Sequence, residues 1–180
     1  MAENERLPFQ ATTAALTYES IHRLPVTVLL DNIRSAYNVG SFFRTADAAR
    51  VERLVLCGIT SRPPHKGVLK TALGAEDTVE WDFVEDSAEA VRMLRQRGHE
   101  IAVLKTSAHS VDLFDWKPQF PVCVLFGNEV EGTRPELLAC CDVHVRIPML
   151  GLKHSLNVAT AGGIAIFELL RKYREMVRVY

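Results

Sequence analysis

Short runs of consecutive apolar residues alternate along the chain with segments whose apolar positions recur every three or four residues. Val26 to Leu30 is an unbroken β-branched and leucine run, the pattern of a strand buried on both faces, and Pro25 marks the end of the segment before it. Pro121 to Phe126 has the same character. Shorter stretches at Arg53 to Cys57, Val79 to Val84, Glu100 to Leu104 and Val143 to Pro148 predict further strands, the first of them stopped by Gly58. Between these, Val39 to Arg50 predicts a helix with Phe42, Phe43 and Ala46 on one side and Asn38 as its cap. Ser87 to Arg97 predicts an amphipathic helix with Ala88, Val91 and Leu94 inward, ended by Gly98. Val68 to Leu73 predicts a single helical turn closed by Gly74, Pro135 to Cys140 a short helix, and Ser155 to Tyr173 a long last one. Strands alternating with helices imply an α/β domain over 25–180, with a mostly parallel sheet covered by helices on both faces. Met1 to Leu24 reads as an N-terminal leader with some helical character from Ala11 to Ile21.

The last helix breaks the usual pattern. From Val158 to Leu170 it is apolar on nearly every face, which argues for burial all round. Gly162 and Gly163 inside it should each cost about 1 kcal/mol relative to alanine, so another element is expected to approach the backbone there. An apolar strand, a bend at Gly151, and Ser155 and Asn157 at the helix start together suggest a small-molecule pocket.

Composition narrows the class. The 180 residues are 48% hydrophobic and 24% charged, the mixture of a soluble globular domain, and the formal net charge of -1 does not announce a nucleic-acid binder. A local basic face would matter more than that total. The polar, acidic N-terminus lacks the apolar core of a signal peptide, and Val158 to Phe167 is too short to span a bilayer. Four cysteines show no CxxC spacing and read as reduced core thiols, which places the chain in the cytoplasm. The histidines have no metal-ligand spacing, so no metal is expected. The absence of G-x-G-x-x-G, P-loop and G-x-S-x-G patterns removes the dinucleotide, NTPase and hydrolase-elbow readings.

Ligands of open parallel sheets bind just past the carboxyl ends of strands, and three such ends carry unusual residues. After the first strand come Asn38 and, six residues on, Arg44. These are either a cap and a solvated side chain, or an arginine set beside Phe42 and Phe43 to meet a phosphate or carboxylate. After Phe126, Gly127 and Gly132 bracket Glu129 in a turn whose carboxylate could pair with an arginine from a neighbouring strand end. After Ile147 come Ser155 and Asn157, helix-capping types that equally suit a site.

Taken in order, these stretches resemble the SpoU (TrmH-type) RNA ribose 2′-O-methyltransferases of the SPOUT superfamily. Asn38 to Ala46 resembles the family's N-x-G-x-x-x-R-T-A element, Phe126 to Gly132 its F-G-x-E-x-x-G element, and Ile147 to Val158 its I-P-M-x-G-x-x-x-S-L-N-V element. The resemblance runs from about Val26 to Leu170. It implies a SPOUT fold whose C-terminal segment is tied in a deep trefoil knot, a feature that general folding rules would not suggest. It also implies a homodimer paired through the knot and S-adenosyl-L-methionine as the methyl donor. That donor would be held by Thr106, Ser107, Phe126, Gly127, Glu129, Gly132, Ile147, Met149 and Leu156.

By the same resemblance Arg44 is the central catalytic residue, with Asn38, Glu129, Ser155 and Asn157 around it. A guanidinium resists deprotonation, so the expected role of Arg44 is to position the target phosphate and hydroxyl, with Glu129 orienting Arg44 or its loop. RNA, with tRNA slightly favoured over rRNA, would contact Arg34, Arg62, His65, Lys66, Lys70 and Lys153 through its phosphates. The alternative is a catalytically silent RNA-binding or assembly protein on the same fold. Intact Asn38, Arg44, Glu129, Ser155 and Asn157 argue against it.

Overall fold

The computed structural model describes residues 21–177. The leader expected over Met1 to Leu24, with its Ala11 to Ile21 helix, lies almost wholly outside the described residues. Seven strands form one sheet in the order β3-β2-β1-β6-β4-β7-β5, and every neighbouring pair is parallel. They are β1 (Leu24–Asp31), β2 (Val51–Cys57), β3 (Trp81–Val84), β4 (Glu100–Leu104), β5 (Val111–Asp112), β6 (Val122–Phe126) and β7 (Val143–Arg146). The helices are α1 (Ala36–Ala48), α2 (Lys66–Ala72), α3 (Ser87–Gln96), α4 (Pro135–Leu138) and α5 (Val158–Val177), with a 3-10 turn at Ala75–Asp77.

The unbroken apolar runs became the sheet centre. β1 and β6 lie side by side, Val26 opposite Val122 and Leu30 opposite Phe126, and every residue of β6 is buried. Two apolar layers flank the sheet. One gathers Val28, Leu30, Phe42, Phe126, Ile166 and their neighbours under α1 and α5. The other gathers Leu29, Cys57, Val91, Leu94, Cys123 and Leu125 under α3. Burial pushes the Cys57 and Cys141 thiols up to about 12 and raises Cys123 as well, which disfavours the reactive thiolate.

Several boundaries differ from the pattern. Pro25 stands inside β1, where the pairing with β2 shifts register between Leu24 and Thr27; an irregularity of that kind tolerates a proline. α1 starts earlier than expected because Ser35, not Asn38, caps it: the Ser35 hydroxyl accepts from the Asn38 backbone N–H at 3.3 Å. α2 is a longer helix than a single turn, and it ends on Leu73 in the left-handed region rather than on Gly74 alone. The two-residue strand β5 was not foreseen, being too short to carry a periodic signal.

α5 also departs from expectation. Only Gly162, Ala165, Ile166 and Leu169 are buried, while Phe167 is 49% exposed. The helix is therefore not buried all round within this chain. A Cβ on Gly162 would overlap the Phe42 ring, which explains that glycine, whereas one on Gly163 would meet nothing within 4 Å. At its far end Lys172 fastens α5 to the segment after β5, donating to the Leu113 carbonyl at 2.6 Å and to the Trp116 carbonyl.

Candidate active site

β1 and β6 are neighbours in space, but the chain leaves them towards opposite edges of the sheet. Such a topological switch opens a crevice at the carboxyl ends of the strands. The Asn128 side chain closes one side of it, donating to the Asn32 carbonyl at 2.8 Å and accepting from the Val130 and Glu131 N–H groups at 2.9 and 3.0 Å. That turn holds the residue between, Glu129, against the loop after β1. The loop is itself pinned by Thr60, whose hydroxyl donates to the Leu30 carbonyl and accepts from the Ile33 N–H, both at 3.0 Å.

Glu129 is the meeting point. Its carboxylate accepts from the backbone N–H of Arg34 at 2.8 Å, the backbone N–H of Ser35 at 3.2 Å and the Asn38 side-chain amide at 3.0 Å. Partial burial pushes this carboxyl up, but these donors, together with the residue's own backbone N–H, outweigh it and hold the group below the usual carboxylate range. The Asn38 amide oxygen in turn accepts from Asn157 at 3.2 Å. Asn157 caps α5, its amide oxygen accepting from the Ala159 and Thr160 N–H groups at 2.9 and 3.2 Å. One chain of hydrogen bonds therefore runs from the loop after β1, through the turn after β6, to the first turn of α5.

Beside it lies a cavity of about 340 Å³ past the ends of β4, β6 and β7. Leu104, Phe126, Ile147, Met149, Leu156 and Val158 supply apolar wall, and Thr106, Asn128, Glu129, Thr133 and Ser155 supply polar groups. Gly127 is required here, since a Cβ would come 2.7 Å from the Thr133 backbone N as the turn folds back on itself.

Of the residues anticipated for a bound donor, all but Ser107 line this cavity; Ser107 bonds Ser110 at 2.8 Å instead. Asn38, Glu129 and Asn157 are brought together by direct hydrogen bonds, and Ser155 reaches the cavity wall without a hydrogen bond among the described residues. Arg44 is exposed, two turns along α1, and has no hydrogen bond or ion pair among the described residues. Two expectations are corrected here. Glu129 pairs with no guanidinium among the described residues; it holds the loop that starts α1 through N–H groups, the other role expected of it. Arg44 is not packed among aromatics, because Phe42 and Phe43 point into the core, against Phe126 and Trp81 respectively.

The basic residues expected at RNA are scattered over the surface. Arg34, Lys66 and Lys153 are exposed; Arg62 lies 3.9 Å over the Phe83 ring and Lys70 5.7 Å over the Tyr37 ring. His65 is used locally, its Nδ1 accepting from the Gly67 N–H at 3.1 Å to cap α2. The sequence reading did not single out Asn128 or Thr133. The run Gly127-Asn128-Glu129 carried the signal for the first, since asparagine after a glycine commonly closes a turn through its own side chain.

Known proteins share this fold. The chain is 33% identical over 152 residues to a 23S rRNA (guanosine-2′-O-)-methyltransferase of Vibrio parahaemolyticus, which covers 84% of this chain and 61% of the relative. It thus spans about three fifths of the length of the curated relatives it matches. An AdoMet-bound rRNA methyltransferase from Sinorhizobium meliloti superposes with a TM-score of 0.76 at 30% identity, covering 83% of this chain and 60% of that one. The A. aeolicus TrmH/SpoU tRNA modifying enzyme gives a TM-score of 0.76 at 26% identity, covering 87% of this chain and 79% of its own. A family model described as the SpoU rRNA Methylase family matches residues 25–167, and the chain belongs to that family.

Proposed function

We propose that this chain is an S-adenosylmethionine-dependent methyltransferase acting on a ribose 2′-hydroxyl of RNA. The observation that carries the reading is the hydrogen-bond chain Glu129–Asn38–Asn157, which joins all three motif-bearing strand ends beside one cavity. The curated relatives support RNA 2′-O-methylation. Their 23S rRNA names give no support to the slight preference for tRNA, and the neighbouring structures include both an rRNA and a tRNA enzyme. RNA is therefore the substrate class we propose.

The cavity suits the donor: apolar side chains for an adenosine and a thioether chain, polar groups among them, and a tightly folded glycine turn in its lining. Phe126, Gly127, Gly132, Ile147, Met149 and Leu156 would hold S-adenosylmethionine there, where it supplies an electrophilic methyl group. The chain's own task is then alignment of the acceptor hydroxyl and management of one proton. Arg44, exposed on α1 and without a hydrogen bond or ion pair among the described residues, would bind the phosphate next to the target ribose. As a permanent cation it stabilises the developing alkoxide without accepting its proton, which leaves to that phosphate or to water. Asn38, Glu129 and Asn157 touch no substrate in this scheme; they hold the loop from which α1 starts.

We further propose the trefoil knot and the homodimer of the family fold. The loop before α5 is open in a single chain, with Leu150 99% and Leu152 103% exposed, and the exposed Phe167 lies on α5. Contact with a second subunit would cover such groups and would give Gly163 its reason. Calorimetry with S-adenosylmethionine tests the donor directly: binding is expected, and its absence would turn the reading towards the silent RNA-binding alternative.

A further inference from the structure

The exposed face of α1 holds a feature that methyl transfer does not require. Tyr37, Ser41 and Arg44 stand at helix positions i, i+4 and i+7, so they share one face, and Tyr37 is 52% exposed. A tyrosine in the first turn of a helix usually lays its ring on the core or on a neighbour. This one stays half exposed. α1 and α2 cross closely at Gly40, where a Cβ would overlap the Val68 carbonyl and the Thr71 hydroxyl. Because α2 comes so near, Thr71 donates to the Tyr37 carbonyl at 2.9 Å, and Lys70 places its ammonium 5.7 Å from the centre of the Tyr37 ring. Ser41 donates to the same carbonyl at 3.0 Å. The backbone under the ring is thus fixed from two helices.

We propose that Tyr37 is a stacking platform for an unpaired RNA base, with Lys70 at the ring and Arg44 taking the phosphate further along the same face. The proposal rests on the RNA methyltransferase reading and adds the form of RNA accepted: a nucleotide drawn out of its stack, in a loop, bulge or end. Only a base drawn out of its helix presents a free face on which an aromatic side chain can stack. Seven residues of helix separate Tyr37 and Arg44 by about 10 Å along the axis, a span that one nucleotide and an arginine side chain can bridge. An exposed ring next to cations is the recurring element of single-strand binding, tolerant of sequence because every base has a face to stack.

The test uses the full chain and a fluorescent RNA oligonucleotide, single-stranded or annealed to its complement, with affinity read by anisotropy. Wild type should prefer the single strand. Tyr37→Ala should weaken single-strand binding roughly 5- to 150-fold, the range expected for losing one base stack, while changing duplex binding little. Tyr37→Phe should restore it, and Tyr37→Leu, which keeps bulk without the aromatic face, should not. Equal binding by wild type and Tyr37→Ala, or rescue by Tyr37→Leu, overturns the platform while leaving the methyltransferase reading intact. A changed sedimentation mass in Tyr37→Ala also overturns it, by showing that the face is a protein contact. Failure of the wild type to bind or methylate any RNA overturns both.

Discussion

Replacing Glu129 by glutamine removes one charge and keeps the shape. In the native chain the carboxylate accepts from three N–H groups, two of them on the backbone of the loop that starts α1. Glutamine retains one acceptor oxygen and presents an NH2 group to donors, so at least one of the Arg34 and Ser35 N–H groups loses its partner. A fully buried orphaned donor would cost about 1–3 kcal/mol. Glu129 is exposed, water can reach the vacated donor, and the expected cost falls to about 1 kcal/mol. For a domain of this size that is a drop of about 2–4 °C in Tm. The pH dependence is more diagnostic than the size. The donors hold the native carboxyl below its ordinary value, so its contribution is fully present above the unfolded value of about 4.3 and is lost as pH falls through the lower folded value. Urea unfolding of both proteins from pH 7 downwards should show a gap that persists to about pH 4.3 and closes below it. A gap of the same size at every pH, or no gap at pH 7, would refute the reasoning.

Three further outcomes are expected. Arg44→Ala should unfold within about 0.5 kcal/mol of wild type, as an exposed residue without partners among the described residues, yet lose methyl transfer by at least roughly 100-fold in a tritiated-donor assay. Asn157→Ala should cost about 1–2 kcal/mol in chemical unfolding through the lost cap, whereas Asn157→Asp should recover the cap but lose the amide that donates to Asn38. Gly162→Ala should destabilise by about 1–3 kcal/mol in thermal unfolding because its Cβ meets the Phe42 ring, while Gly163→Ala should be tolerated unless a second subunit packs there, which sedimentation would reveal.

The fold was legible where burial on both faces left an unbroken apolar run. β1 and β6 announce themselves by composition, and α3 does so through its apolar face. Sheet order was not legible, because nothing local in β4 or β6 states that β6 will lie between β1 and β4. The site divides in the same way. Motif spacing brought out Asn38, Glu129 and Asn157, since each is polar at the end or start of an apolar element. Their partners stayed hidden because the contacts are 91 and 119 residues apart in sequence. Ser35 and Asn38 are both good capping residues three apart, and only the geometry of the turn decides that Ser35 caps and Asn38 reaches across. The apolar circumference of α5 argues for burial all round. It instead leaves Phe167 outside, which a periodic pattern cannot distinguish from core.

The central claim is tested most directly by incubating the purified chain with RNA and S-adenosylmethionine carrying a deuterated methyl group, then digesting the RNA to nucleosides for mass spectrometry. The account predicts deuterated methyl on the ribose of a nucleoside, absent with Arg44→Ala. Label on a base, or no label in any RNA offered despite donor binding, would contradict it.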